Sequence, residues 1–253
     1  MSILTEVLLL LAIALAGFVD SIAGGGGLIS LPAYALAGLP LKMATANNKF
    51  GNFFGTAYAS YKFAKSRQVV WQSVASAFPA SLIGSALGAK LILILPERVL
   101  SICLLVILPL AASVMLFGAR KSEDDSSNML KGKKLFWVSG VIGFLCGCYD
   151  GFFGPGTGTF LVLAFCSFIK MDYVKASGTA KLINLASNLG SLIVFLHSGN
   201  VDISLGVKCA IASIIGSAVG SKLAIDKGSR VIKPLIIMVI AAIMLKLLFQ
   251  LIM

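Results

Sequence analysis

SLIGSALGAKLILILPERV at residues 81–99 and SIIGSAVGSKLAIDKGSRV at residues 213–231 align as two copies of one pattern. Gly84/Gly216, Ser85/Ser217, Gly88/Gly220, Lys90/Lys222 and Arg98/Arg230 recur at an offset of 132, which also aligns Ala44 with Ala176, Lys49 with Lys181 and Asn52 with Asn184. Upstream the offset becomes 130, setting Asp20 against Asp150 and the run Gly24, Gly25, Gly26, Gly27 against Gly154, Pro155, Gly156, Thr157. Self-similarity at one large offset is the mark of a transporter built from two halves. The halves occupy 1–118 and 135–253, with a polar linker over 119–134 that contains RKSEDDSSNMLKGKK at 120–134.

Composition sets the solvent. Of 253 residues, 58% are apolar and 12% charged, with a mean hydropathy of +0.98, whereas soluble chains carry roughly 25% charged residues. The chain reads as an all-α polytopic membrane protein whose first partner is the lipid bilayer. No Lys or Arg precedes the apolar run at Met1–Leu11 and no small-residue cleavage motif follows closely, so a cleaved signal peptide is not expected. The cysteines, Cys103, Cys146, Cys148, Cys166 and Cys209, all fall in apolar segments and read as small buried hydrophobes.

Each half gives the same series. Leu4 to Ala37 is 34 residues, about 51 Å as one helix at ~1.5 Å per residue, too long for a hydrocarbon core of ~30 Å. Four consecutive glycines break it, and Gly154-Pro155-Gly156 breaks the second half at the matching place. Three spans follow each break, near 44–62, 70–90 and 99–118, then 176–197, 203–221 and 232–252. The expected architecture is therefore two inverted repeats, each a broken or re-entrant helical hairpin plus three transmembrane helices, with about 8 to 10 membrane segments in all.

Loop charge orients them. If each broken segment enters and leaves by one face, Lys62, Lys65, Arg67, Arg120, Lys121, Lys131, Lys133, Lys134, Lys170, Lys175, Lys222, Lys227, Arg230 and Lys233 share a side, against Lys42, Lys90 and Arg98 opposite. Short-loop Lys/Arg bias marks the cytoplasmic side, so both termini are expected outside. The net charge of +11 is then topological, and no nucleic-acid partner is expected.

Lys49 and Lys181 lie inside spans at equivalent places in the repeat. Intramembrane charge is functional by default, and each lysine shares a helix face with amides: Asn52 beside Lys49, Asn184 and Asn188 beside Lys181, with Asn48 adjacent. Such donor-rich cationic stripes suit a small anion; the competing account is that both lysines snorkel to an interface. The glycine breaks could add backbone N–H groups and half-helix dipoles from starts near Leu28 and Thr159, or serve only tight packing. Asp20 and Asp150, just ahead of the breaks, could pair with the lysines, cap the next turn or carry a proton. His197, and Trp71 and Trp137 at span openings, read as interfacial.

GFVDSIAGGGGLISLPAYALAGLP at 17–40, ATANNKFGN at 44–52, YDGFFGPGTGTF at 149–160 and ASGTAKLINLASNLGSL at 176–192 resemble the sulfite exporter TauE/SafE family, also called the four-toluene sulfonate uptake permease family. The likeness covers both halves. It implies a multi-pass inner-membrane permease for sulfite, thiosulfate or organosulfonates by alternating access around a midplane site. The site residues expected from the charges, amides and breaks themselves are Lys49, Asn48, Asn52, Lys181, Asn184, Asn188, Gly24, Gly25, Gly26, Gly27, Gly154, Gly156 and Thr157. A passive anion channel and a permease for a non-sulfur organic anion stay open beside it, as does a homo-oligomer. One histidine and no Gly-x-Ser-x-Gly pattern speak against an intramembrane enzyme, and no cofactor or metal is expected.

The topology has a direct test. In a background lacking the native cysteines, a cysteine replacing Asp125 should resist an impermeant thiol reagent applied outside, while one replacing Met253 should react. The reverse pattern rejects the orientation.

Overall fold

The computed structural model describes residues 1–96 and 129–252. The expected span at 99–118 and most of the linker lie outside the described residues. The elements are α1 (Ile3–Ala23), α2 (Gly27–Leu36), α3 (Leu41–Lys65), α4 (Trp71–Ile94), α5 (Gly132–Phe152), α6 (Thr157–Ala164), a π-helical turn (Phe165–Ile169), α7 (Tyr173–His197), α8 (Ile203–Lys227) and α9 (Ser229–Ile252). Among the described residues five helices, α1, α4, α5, α7 and α8, are long and apolar enough to cross a membrane, which makes this an all-helical multi-pass protein. The helices outrun the expected spans by a few residues at several ends. The short helices after the breaks start at Gly27 and Thr157, a little before the expected Leu28 and Thr159.

Both breaks are hairpins. α1 stops where Gly24 takes φ 81°, a left-handed conformation that a side chain disfavours, and its N–H closes on the Asp20 carbonyl at 2.8 Å. The chain then doubles back, since a Cβ at Gly26 would stand 2.5 Å from the Ala16 carbonyl oxygen. In the second half the Leu130 N–H donates to the Ile169 carbonyl at 3.0 Å, so the hairpin of α5 and α6 also closes at its base.

Contacts between element ends sort the loops into two faces. On one face Lys42 at the start of α3 donates to Leu93 O near the end of α4 at 3.0 Å, and Glu6 of α1 pairs with Lys208 of α8. On the other, Gln72 of α4 donates to Gly132 O at the start of α5 (3.1 Å), Val70 N–H to Thr179 of α7 (3.0 Å), and Lys233 of α9 lies 4.8 Å from the centre of the Tyr173 ring. The described basic residues from Lys62 to Arg67, Lys131 to Lys134 and Lys170 to Lys175 fall with the second group.

Small residues let the helix backbones touch across the halves, the usual solution where lipid removes the hydrophobic drive to associate. A Cβ at Gly17 of α1 would stand 2.6 Å from Ser213 O of α8; one at Gly147 of α5 would stand 2.5 Å from Ser81 O of α4. Gly17 and Gly147 are 130 residues apart, Ser81 and Ser213 are 132 apart, so the second contact is the first with the halves exchanged. α3 packs on α8 as α7 packs on α4, and α3 and α7 cross each other at the centre. There Asn188 reaches its own repeat mate, Thr56, at 3.4 Å. α3 is as long as α7 yet too polar to qualify as an apolar span; its Thr45, Asn48, Lys49, Thr56 and Ser60 are buried against protein.

Gly147→Ala should lower the melting midpoint of the detergent-solubilised protein by roughly 2–12 °C, from ~1–3 kcal/mol of overpacking at ~2–4 °C per kcal/mol. Gly140→Ala is the control, because its Cβ would meet Ser76 at an ordinary 3.6 Å. Matching midpoints in the two variants would remove close approach as the reason for the glycine.

Candidate functional site

Both intramembrane lysines are buried at the centre, Lys49 at 2% exposure and Lys181 at 1%; neither snorkels. Each is answered by the aspartate of the opposite half. Lys49 Nζ lies 2.7 Å from Asp150 Oδ2, and Lys181 Nζ lies 3.1 Å from Asp20 Oδ2 while also donating to the Asp20 carbonyl. The four charges form two crossed pairs with no net charge. A buried charge is tolerable only when paired and hydrogen-bonded, and both aspartates supply this from the last turn of a helix that ends at a break.

The carboxylates have further partners. Asp20 Oδ1 accepts from the Gly26 N–H at 3.4 Å, so Asp20 both pairs and caps. Asp150 Oδ2 accepts from Ser187 Oγ at 2.6 Å. Amides complete the setting: Asn48 Oδ1 accepts from Ser30 Oγ at 2.6 Å and from Asn52 Nδ2 at 3.0 Å. Asp20, Gly24, Gly27, Asn48, Lys49, Asn52, Asp150, Gly154, Thr157, Gly158, Asn184 and Asn188 line one cavity. The space left inside is about 10 Å³ for the centre of a water-sized sphere, about one water molecule.

Most of the residues singled out by sequence therefore meet in one place. Lys181, Gly25, Gly26 and Gly156 do not line the cavity. Several N–H groups at the breaks already have partners: Gly24 on Asp20 O, Gly154 on Tyr149 O at 3.2 Å, Thr157 on Gly154 O at 3.1 Å. The breaks also pack on each other, with Thr159 Oγ1 donating to Ala23 O at 2.6 Å and Gly24 against Gly158. Close packing is thus one role of these glycines. Lys208 sits at the protein edge, half exposed and paired with Glu6, beside a pocket of about 370 Å³; the side chain of Lys246 is outside the described ones. His197, Trp71 and Trp137 are exposed near helix ends, as their positions suggested.

Sequence reasoning missed Ser30, Gly158 and Ser187. Ser187 stands one turn after Asn184 on the face that carries the amides, a spacing that could have flagged it; its repeat mate is Gly55, so the repeat gave no signal.

The family model for the sulfite exporter TauE/SafE matches residues 9–247. The chain belongs to the sulfite exporter TauE/SafE family. It is similar to a Sinorhizobium protein named "Probable membrane transporter protein ORF9", 36% identical over 242 residues, covering 95% of this chain and 91% of that one. It is also similar to Escherichia coli "Probable membrane transporter protein YfcA", 34% identical with 93% and 87% covered. A Haemophilus influenzae "Probable membrane transporter protein" is likewise 34% identical, with 88% and 86% covered. No solved structure matches significantly. The matched TauE/SafE region takes in both hairpins and all four charges of the crossed pairs.

Lys49→Met alone should destabilise the protein by about 3–5 kcal/mol, the usual cost of stranding one charge of a buried pair. Adding Asp150→Asn should recover most of that in thermal melts. Equal midpoints for the single and double variants would show that the stranded Asp150 carboxylate costs nothing.

Proposed function

We propose that this chain is a secondary permease for a small sulfur-containing anion such as sulfite, thiosulfate or an organosulfonate, working by alternating access around the central cavity. Membership of a transporter family supports the general activity, and the sulfur class follows the name of that family. The observation that carries the site is the cavity itself: a buried lysine, two carboxylates paired with lysines and four amides face a space closed down to about one water. Any sulfur oxyanion is larger, so the structure corresponds to a closed state that must open towards one face to load. Lys49, Asn48, Asn52, Asn184 and Asn188 are the proposed binding groups, joined by the breaks at Gly24, Gly25, Gly26 and Gly27 and at Gly154, Gly156 and Thr157; Lys181, which does not line the cavity, supports the site by holding Asp20.

The halves are inverted in this reading. In its support, the first hairpin opens on the face that holds Lys42, the second on the face that holds Lys131, and the packing contacts repeat with the halves exchanged. The basic face is cytoplasmic and the termini are outside, in the cell inner membrane. A closed cavity favours a carrier over a passive channel, which needs a continuous wet path.

The test is a thermal-shift screen of purified protein against sulfite, thiosulfate, sulfonates and carboxylates, followed by uptake into proteoliposomes. Stabilisation by a sulfur anion, with accumulation against its gradient that an uncoupler abolishes, is the expected result. Stabilisation by carboxylates alone moves the assignment to a non-sulfur organic anion, and downhill flux indifferent to uncoupler identifies a channel.

A further inference from the structure

The two crossed pairs occupy matching places in the repeat, yet their surroundings differ. Asp20 is built into its own break: Oδ1 takes the Gly26 N–H, and both Oδ2 and the backbone carbonyl take Lys181. Asp20 lines the cavity but Lys181 does not, so this pair reaches the cavity through its carboxylate alone. At the second break the turn is held by other groups, Thr157 Oγ1 on Gly154 O at 2.7 Å and Tyr149 OH on Pro155 O at 2.7 Å. Asp150 is spared that task. Its carboxylate is held by two side chains, Lys49 at 2.7 Å and Ser187 at 2.6 Å, and both Asp150 and Lys49 face the cavity.

We propose that Lys49–Asp150 is the exchangeable pair of the transport cycle and Asp20–Lys181 a permanent clamp. The incoming anion displaces the Asp150 carboxylate from Lys49, and Asp150 takes up one proton from water on the entry side, keeping its bond to Ser187. For a monovalent anion the books balance: Lys49⁺ with Asp150⁻ becomes Lys49⁺ with the anion and a neutral Asp150, and the central net charge stays zero. Without the proton, a bare carboxylate and an anion would share one cation in a low-dielectric interior, which burial forbids. On release the proton leaves and the pair re-forms. Among the described residues, the titratable or charged groups that face Asp150 are Lys49 from α3, Asp20 of α1 across the same cavity and, from its own helix, Cys146 and Tyr149. α7 adds Ser187 and Asn184, and α6 adds Thr157, all neutral. Asp20 and Lys181 act as positioning residues: they hold the first break, and with it Gly24 and Gly27 at the cavity wall. This proposal rests on the anion-permease reading and assigns its coupling ion.

The experiment is calorimetric binding of methanesulfonate and thiosulfate, neither of which changes protonation near neutrality, in buffers of different ionisation enthalpy. Wild-type protein should take up about one proton per methanesulfonate bound. Asp150→Asn should bind it at least as tightly with no proton uptake. The double variant Lys49→Met/Asp150→Asn, which strands no charge, should lose at least ~10-fold in affinity. Asp20→Asn/Lys181→Met should stay within about threefold, keep the proton uptake and melt at a lower temperature. If wild type binds neither anion, the sulfur-anion reading itself fails and the coupling scheme with it. Binding without proton uptake in wild type, or proton uptake that survives Asp150→Asn, overturns the coupling and leaves the permease reading standing. Equal affinity losses in the two double variants overturn the division between the pairs.

Discussion

Two ammonium groups buried in the middle of a membrane protein are the constraint around which the rest is organised. Each would cost several kcal/mol if left alone in that interior, so each must meet a carboxylate, and the carboxylates come from the opposite half. Lys49 on α3 is satisfied by the Asp150 that α5 brings to it, and Lys181 on α7 by the Asp20 that α1 brings. The pairs therefore stitch the halves together at two points. They also fix where the breaks lie, because each aspartate sits on the last turn before one.

Holding polar helices at that depth demands that protein, rather than lipid, surround them. α3 and α7 carry the amides and hydroxyls, and α8 and α4 close over them. α1 and α5 seal on through backbone contact at Gly17 and Gly147. Without a hydrophobic drive between helices in lipid, such close approach supplies the packing energy. The outer faces of α4 and α8 show the complementary pattern, with Ile83, Leu87 and Leu91, then Val207, Ile211, Ile215 and Val219 exposed as a lipid-facing surface demands.

A pseudo-symmetric frame then hosts a site that is not symmetric. The first break is Gly-Gly-Gly-Gly and leaves its turn to be capped by Asp20; the second is Gly-Pro-Gly-Thr and supplies its own hydroxyl from Thr157. That small difference in chemistry ties Asp20 to its own turn, while Asp150 shares the cavity wall with its own partner, Lys49.

The sequence by itself determined the membrane class, from composition, and the two-part organisation, from the offsets of 130 and 132. It also determined the position of both breaks, because four glycines or a Gly-Pro-Gly cannot continue a helix cheaply, and the polar faces of α3 and α7, because residues three and four apart share a side. Tertiary structure alone decided who pairs with whom. Asp20 precedes Lys49 in its own half much as Asp150 precedes Lys181, so spacing favours neither partner, and the observed pair Asp20–Lys181 spans 161 positions. An ion pair forms through space and depends on which helices the backbone contacts bring together. The same holds for the cavity's size and for Ser187, a hydroxyl whose meaning comes only from the carboxylate that another helix carries to it.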